Sequence, residues 1–266
     1  MPTETLRTDT HFRVGTSPSS RTALFKGGSE VTLREDKKTA CSGTLARNQF
    51  LDTVAGTAVR GIEFKGEREV VFRDDGSVLC GTLAHNMHLD VVKGTGRRSI
   101  EFKGEREVTF RDDGSLSSGT ILHDVSLDTV NAGGVRIIAL KGEMPVTFRD
   151  DGSVSSGTLA RNTPLDVVEG AAARIIEFKG EREVTFRDDG SVFLGTLARN
   201  TPLDVVEGAS LRTVEFKGET PVTFRADGSV SSGTLARDMT LSTGTGTIRV
   251  TAGTPVRFAP NGSLEA

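Results

Sequence analysis

Apolar and polar residues alternate over short stretches throughout the chain. In Val184-Thr185-Phe186 and in Leu203-Asp204-Val205 the outer two side chains are apolar and the middle one is polar. Successive side chains of an extended strand point to opposite faces, so this alternation predicts strands with one buried face. Gly, Asp, Asn and Pro, which favour turns, separate the stretches. No helical period competes with the alternation, and we expect an all-β fold.

The apolar positions return at regular intervals. One set of three comes back after nineteen residues with its spacings unchanged, so that Phe178, Val184 and Phe186 are followed by Leu197, Leu203 and Val205. A longer signature, Gly-Thr-Leu or Gly-Thr-Ile, recurs every 38 residues, with its glycine at Gly43, Gly81, Gly119, Gly157, Gly195 and Gly233. A fixed period of this length is typical of repeat proteins, in which each unit completes its core against its neighbours.

The nineteen-residue period predicts a single-stranded β-solenoid with about 19 residues per coil and with Phe, Leu, Val and Ile facing inward. Roughly thirteen coils, each about 4.8 Å high, would form a rod on the order of 60 Å long. The repeat is recognisable from Phe12 to the C-terminus. We therefore predict an N-terminal tail at residues 1–11 and a single elongated β-repeat domain at residues 12–266.

Two other all-β architectures stay open. If Arg-Asp-Asp-Gly-Ser and Lys-Gly-Glu-Arg form hairpin turns, each 38-residue unit becomes a four-stranded antiparallel meander. Six such units could close as a six-bladed β-propeller, although propeller blades are covered on both faces and the alternation predicts one polar face. The meander could also stay open, as a ribbon of hairpins similar to MORN-type repeats. The chain lacks the Tyr-and-Gly pattern of those repeats, because it has no Tyr.

Composition and charge exclude several classes of function. A net charge of -3 and the lack of a long Lys/Arg run provide no electrostatic field for a phosphate backbone, so we expect no nucleic-acid partner. No stretch is apolar enough for a signal peptide or a membrane span. Cys41 and Cys80 are the only cysteines. The predicted register places them about two coils apart, too far for a disulfide, which predicts free thiols and a cytoplasmic location.

Pairs of aspartates before a glycine are the first candidate site, because stacked carboxylates can hold calcium. They are Asp74/Asp75, Asp112/Asp113, Asp150/Asp151 and Asp188/Asp189. Calcium needs six to eight oxygen ligands, and the string lacks the glycine-rich nonapeptide pattern of calcium-binding β-rolls. Asp can bond its own backbone and Gly accepts positive φ, so we predict turns here rather than metal sites.

Histidines and irregular loops are the remaining candidates. His85 and His123 stand where other copies have Arg161, Arg199 or Arg237, which predicts exposed side chains too far apart to share a zinc ion. The loops that depart most from the repeat are Arg34–Lys38, Lys93–Arg98 and Asn131–Gly134. Gly94-Thr95-Gly96 precedes a strand rather than a helix, so it is a weak phosphate-loop match. We predict no catalytic, metal-binding or cofactor-binding residue, and no cofactor.

Surface columns are expected to be mixed in charge. With neither Trp nor Tyr, and with Phe at inward positions, the chain lacks the exposed aromatics of carbohydrate-binding surfaces. Threonine columns would suit an ice-binding solenoid. In the nineteen-residue register, however, Thr109, Thr147 and Thr185 alternate with Asp128, Asp166 and Asp204. Such columns predict solubility and protected edges.

These expectations favour a structural role. The fifteen residues Glu101–Ser115 recur unchanged as Glu177–Ser191, and duplication of whole units is tolerated most easily when the function is length or multivalent display. We expect a non-catalytic scaffold whose repeat surface binds a protein partner or other copies, laterally or end to end. The alternative is a small-ligand or ion-binding module of propeller or meander form, with the aspartate turns as sites. An enzyme is not expected.

Overall fold

The computed structural model describes residues 1–16, 21–54, 61–93, 96–131, 134–167, 174–208 and 210–265. Within these residues the chain forms 28 β-strands and no helix, which confirms the all-β prediction. Contacts between residues divide the chain into two units. The first comprises Met1–His123 and Glu143–Gly152, and the second comprises Asp124–Gly142 and Ser153–Ala266.

The first unit contains fourteen of the described strands. They are β1 (Thr3–Thr5), β2 (Thr10–Arg13), β3 (Thr22–Phe25), β4 (Glu30–Leu33), β5 (Ala40–Thr44), β6 (Gln49–Leu51), β7 (Ile62–Phe64), β8 (Glu69–Phe72), β9 (Val78–Thr82), β10 (Met87–Lys93), β11 (Gly96–Phe102), β12 (Glu107–Phe110), β13 (Leu116–Thr120) and β16 (Pro145–Phe148).

The second unit contains the other fourteen described strands. They are β14 (Val125–Asn131), β15 (Gly134–Leu140), β17 (Val154–Thr158), β18 (Thr163–Asp166), β19 (Ile175–Phe178), β20 (Glu183–Phe186), β21 (Val192–Thr196), β22 (Thr201–Glu207), β23 (Ser210–Phe216), β24 (Pro221–Phe224), β25 (Val230–Thr234), β26 (Met239–Thr243), β27 (Gly246–Val250) and β28 (Pro255–Arg257).

Each unit combines one long run of sheet strands with separate two-stranded hairpins. In the first unit the sheet order is β1-β4-β5-β8-β9-β12-β13-β16, and in the second it is β17-β20-β21-β24-β25-β28. The hairpins are β2–β3, β6–β7 and β10–β11 in the first unit and β14–β15, β18–β19, β22–β23 and β26–β27 in the second. One 38-residue repeat therefore supplies two sheet strands and one hairpin, and the repeat prediction is confirmed.

The sheet is buried on one face, as the alternation predicts. In β12, Val108 and Phe110 are buried while Thr109 between them is partly exposed. Leu89 and Ile100 on hairpin β10–β11 are buried as well. Phe64 at the end of β7 packs edge to face on Phe110, with 6.2 Å between ring centroids. The core of the first unit thus lies between the sheet and the hairpins.

The glycine of the Gly-Thr-Leu signature makes room for an aromatic ring. A Cβ placed on Gly81 would lie 2.8 Å from Cδ1 of Phe64, and one placed on Gly195 would lie 2.5 Å from Cδ1 of Phe178. Real Cβ atoms do not approach a ring so closely, because overpacking forces the neighbours to move. The repeated glycine is therefore a packing requirement of the core.

The nineteen-residue coil is not confirmed. A solenoid would stack Phe186 and Val205 in one ladder, yet Phe186 lies in sheet strand β20 and Val205 lies in hairpin strand β22. The strands of each unit pair antiparallel, for example β20 with β21 and β22 with β23. An antiparallel pairing with one hairpin per repeat is consistent with the open β-meander. Alternation reports which side chains are buried, but it is the same for parallel and antiparallel neighbours.

Residues 1–11 include part of the sheet, although the sequence predicted a tail there. Strand β1 pairs antiparallel with β4. The sequence does contain an indication of this strand, because Thr5-Leu6 and Asp9 form a weak copy of the repeat that corresponds to Thr44-Leu45 and Asn48. The extension of a single domain over residues 12–266 stays a prediction.

Candidate interaction surface

The second aspartate closes its own turn in three of the Asp-Asp-Gly strings. Backbone N–H groups donate to the Oδ1 atoms of these aspartates, from Ser77 to Asp75 at 2.8 Å and from Ser115 to Asp113 at 2.9 Å. In the second unit Ser191 donates to Asp189 at 2.7 Å. Such Asx turns confirm the predicted turn role of these residues.

The first aspartate bonds to the preceding repeat. In the first unit the Arg73 guanidinium lies 2.8 Å from Asp112, and the Arg111 guanidinium lies 2.9 Å from Asp150. The same arginines donate to the backbone carbonyls of Phe110 and Phe148. The two carboxylates of a pair therefore have separate structural roles. Among the described residues no group of three or more His, Cys, Asp or Glu side chains is placed to hold a metal ion.

A second set of bonds joins the Lys-Gly-Glu turns of successive repeats. Lys103 Nζ lies 2.8 Å from Glu143 Oε1 in the first unit. The same pairing recurs in Lys26–Glu67, Lys65–Glu105, Lys141–Glu181 and Lys179–Glu219. Each of these glutamates has φ between 59° and 63°, in the left-handed region. Hydrogen bonds and charge from the lysines lower the pKa of all five carboxyl groups.

An asparagine or aspartate holds the glycine of each Lys-Gly turn. Asn86 Oδ1 accepts a bond from Gly104 N–H at 2.7 Å, and Asn200 Oδ1 accepts one from Gly218 N–H at 2.8 Å. A Cβ on Gly218 would lie 2.5 Å from the backbone carbonyl carbon of Arg199, so the turn fits glycine only. Sequence reasoning missed these residues, although the Lys and Glu lie about one repeat apart and an Asn or Asp always stands five positions after the signature glycine.

The histidines lie where their repeat positions predict. His85 Nε2 is 3.3 Å from Glu63 and His123 Nε2 is 3.8 Å from Glu101, with side chains 71% and 76% exposed. Arg199 forms the equivalent pair with Glu177 in the second unit, at 3.8 Å. The prediction of exposed histidines that replace an arginine is confirmed for His85 and His123.

The irregular loops are partly described. Asp36 accepts bonds from the N–H groups of Lys38 and Thr39, both at 2.9 Å, and from the Thr39 hydroxyl at 2.5 Å. These bonds, the hydroxyl first, lower the pKa of Asp36 to about 2. Residues 94–95 and 132–133, within the other two loops, lie outside the described residues.

The predicted columns of alternating Thr and Asp are wrong. Thr185 lies in sheet strand β20, opposite Ser156 on one side and Leu194 on the other. Asp204 lies in hairpin strand β22, where it accepts from Arg174 at 2.7 Å. The nineteen-residue period had placed residues of the sheet and of the hairpins in one column. The aspartates of the hairpins instead form ion pairs with neighbouring hairpins, as Asp166 does with Arg136 at 3.1 Å.

The outward face of the sheet carries rows that consist mostly of Thr and Ser. In the first unit one row runs through Thr3, Thr32, Ser42, Val71, Cys80, Thr109, Ser118 and Thr147. In the second unit the row runs through Ser156, Thr185, Leu194, Thr223, Ser232 and Arg257. Hydroxyls within the row bond each other, since Thr223 Oγ1 lies 2.5 Å from Ser232 Oγ.

Two repeats place apolar side chains on this face, in contrast to the predicted inward position of all Phe. Phe193 is 45% exposed, and Leu79 of the first unit, at the same repeat position, is 37% exposed. Other repeats have serine there, such as Ser231. The Arg187 guanidinium lies 5.2 Å from the Phe193 ring centroid, within cation–π distance. We call Phe193, Leu194, Thr185 and Thr223 the outer patch of the second unit.

No protein-family model and no curated protein matches the chain.

Both cysteines are free thiols, as predicted, and partial burial raises the pKa of Cys80. The described residues form no helix that is long and apolar enough to cross a membrane.

Proposed function

We propose that this protein is a non-catalytic structural scaffold whose repeat surface binds a protein partner. The observation that carries the proposal is the use of polar side chains between repeats. The arginine and first aspartate of one turn, and the lysine and glutamate of the other, each bond to a neighbouring repeat. These side chains have a structural role that recurs from repeat to repeat, which supports a scaffold.

The outer patch of the second unit is the contact surface that we propose. Aromatic residues, Phe among them, and Arg are enriched at protein–protein interfaces relative to the rest of the surface. The hydroxyl groups beside Phe193 bond each other, as Thr223 does with Ser231 at 2.7 Å, so covering them leaves few polar groups without a partner. A partner with a complementary apolar group therefore gains the burial of Phe193 at little polar cost.

The proposal also includes how the repeats are arranged and what the scaffold associates with. We favour the open meander over the nineteen-residue coil and over a propeller, because each repeat adds two antiparallel sheet strands and one hairpin. Binding to other copies of the chain, side by side or end to end, is the second form that a scaffold of repeats could take.

Affinity capture with matched variants tests the proposed surface. Replacing Phe193 and Leu194 by serine restores the residues that other repeats carry there, so the fold should be retained. We expect at least one protein from an extract of the native cells to bind the wild type and to be lost with the double variant. Phe50→Ser, which removes another exposed Phe from a hairpin of the first unit, is the control and should retain the partner.

Two results would contradict the proposal. Equal recovery of every protein by wild type and double variant would show that the outer patch does not bind the partner. A rise in Tm on addition of calcium, reversed by a chelator, would favour the alternative of an ion-binding module at the aspartate turns, because a ligand that binds only the folded state stabilises it.

A further inference from the structure

Strand β1 occupies a defined place in the repeat. Its three residues pair with β4 in the register in which β5 pairs with β8: Thr3 opposite Thr32, Glu4 opposite Val31 and Thr5 opposite Glu30, compared with Ser42 opposite Val71, Gly43 opposite Val70 and Thr44 opposite Glu69. Residue by residue, β1 therefore corresponds to the strand that carries the Gly-Thr-Leu signature.

The bonds that follow β1 repeat those that follow β5. Leu6 N–H donates to the Ser29 carbonyl at 2.9 Å, as Leu45 N–H donates to Arg68 at 3.0 Å. Asp9 Oδ1 accepts from Gly27 N–H at 2.8 Å, as Asn48 Oδ1 accepts from Gly66 N–H at 2.9 Å. The correspondence between β1 and the repeat strands thus rests on backbone bonds as well as on register.

One residue breaks the correspondence. Every other strand of this type has glycine where β1 has Glu4. In β5, a Cβ on Gly43 would lie 2.7 Å from Cδ1 of Phe25 and 3.2 Å from Cγ2 of Val31, both from the part of the repeat that precedes the strand. At β1 that side of the strand is open, because β1 has the first place in the sheet order and pairs with β4 alone among the described strands. All three residues of β1 are exposed.

We propose that Glu4 prevents a second copy of this chain from adding a strand to the open edge of β1. An added strand in the register of the repeat would bring a valine and an aromatic or aliphatic side chain against residue 4, as Val31 and Phe25 lie against Gly43. Glutamate fills that space and would lose its hydration there without a cationic partner, which is strongly unfavourable. A charge that points toward the core is a known means of protecting a sheet edge.

The complementary strand is β28 of the second copy. β28 has the last place in the sheet order of the second unit, and its Pro-Val sequence matches the start of β24, the type of strand that pairs with signature strands. The far side of β28 is covered by residues 261–265, through a bridge from Phe258 to Leu264, a bond from Glu265 N–H to the Arg257 carbonyl at 2.8 Å and an ion pair between Arg257 and Glu265 at 3.4 Å. Leu264 N–H also donates to the Ser242 carbonyl at 2.8 Å. A new strand would have to take the place of this short segment.

Glu4→Gly tests the proposal on the full chain. We expect the wild type to sediment as a monomer over a wide range of protein concentration, which is the result expected if the scaffold binds a protein partner rather than other copies of the chain. The weight-average mass of Glu4→Gly should rise by more than about two-fold with concentration, because contact between two different edges continues from copy to copy. Hydrogen exchange of Thr3–Thr5 should slow in the associated state of the variant. Glu69→Gly is the matched control, since it also replaces an exposed strand glutamate by glycine, and it should stay monomeric.

Each other outcome overturns the proposal in a defined way. A monomeric Glu4→Gly variant, or a wild type that already associates, would show that Glu4 does not guard the edge. Association that stops at dimers would overturn the assignment of β28 as the added strand, because a contact between two different edges continues from copy to copy. Association of Glu69→Gly, or association without slower exchange at residues 3–5, would show that the new contact lies elsewhere. None of these results depends on the outer patch.

Discussion

At the scale of single residues, the fold of each repeat depends on glycines that leave no room for a side chain and on Asn or Asp side chains that bond the turns. Gly195 is constrained by the ring of Phe178, and Gly218 is constrained by the backbone of Arg199. These glycines stand at regular intervals in the sequence, and the interval was easy to detect. The reason for each glycine could not be predicted, because a close approach between a backbone and a ring depends on which strand lies beside the glycine.

Gly195→Ala should destabilise the protein by about 1–3 kcal/mol, because the added methyl group meets Phe178 in a packed core. Gly244→Ala is the control, since a Cβ at Gly244 has no atom within 4 Å. The control should change the free energy of unfolding by less than about 0.5 kcal/mol. Urea unfolding of both variants measures the difference. Equal midpoints would show that the ring moves aside without cost.

At the scale of strands and turns, the sequence predicted burial better than pairing. The inward positions of Val108 and Phe110 followed from alternation, which depends only on the strand itself. The partner of a strand depends on the turn that precedes it. Phe178 and Leu197, nineteen residues apart, do meet, but in an isolated antiparallel bridge rather than as equivalent rungs of one ladder. The half-repeats share spacings because both alternate, although one belongs to the sheet and the other to a hairpin.

Asn200→Ala should cost about 1–3 kcal/mol, because Gly218 N–H loses the side-chain oxygen that accepts its bond. Asn200→Asp keeps an acceptor and copies the aspartates that serve this role at Asp9 and Asp124. It should retain nearly the wild-type Tm. Thermal unfolding of the two variants separates the bond from other effects of substitution. A loss of Tm that is equal in both variants would contradict the role of the oxygen.

At the scale of the whole molecule, ionic ladders link stability to pH. The lysines lower the pKa of Glu105 and Glu143 below the ordinary 4.5, so the ion pairs contribute above that pH and are lost as pH falls through the lowered pKa. The double variant Lys65→Met and Lys103→Met should therefore unfold at a lower temperature than the wild type at neutral pH. The difference should vanish in acid, once both carboxyl groups are protonated. A difference independent of pH would assign the effect to packing of the lysine stems.

The unit of the fold can be measured by deletion. Removing Gly157–Leu194 takes out 38 residues and joins Ser156 to Gly195, so that Lys141 meets Glu219 in place of Glu181. Every sheet strand then keeps a partner of the right type, and we expect a cooperative thermal transition and a strand-rich circular dichroism spectrum. Removing Gly157–Ile175, which is nineteen residues, joins a sheet strand to the second strand of a hairpin and should abolish cooperative unfolding. A solenoid of nineteen-residue coils would tolerate both deletions equally, since each would remove whole coils from a stack. Cooperative unfolding of the nineteen-residue deletion would therefore contradict the meander. Loss of cooperative unfolding in that variant, with cooperativity kept in the 38-residue deletion, would establish the 38-residue unit.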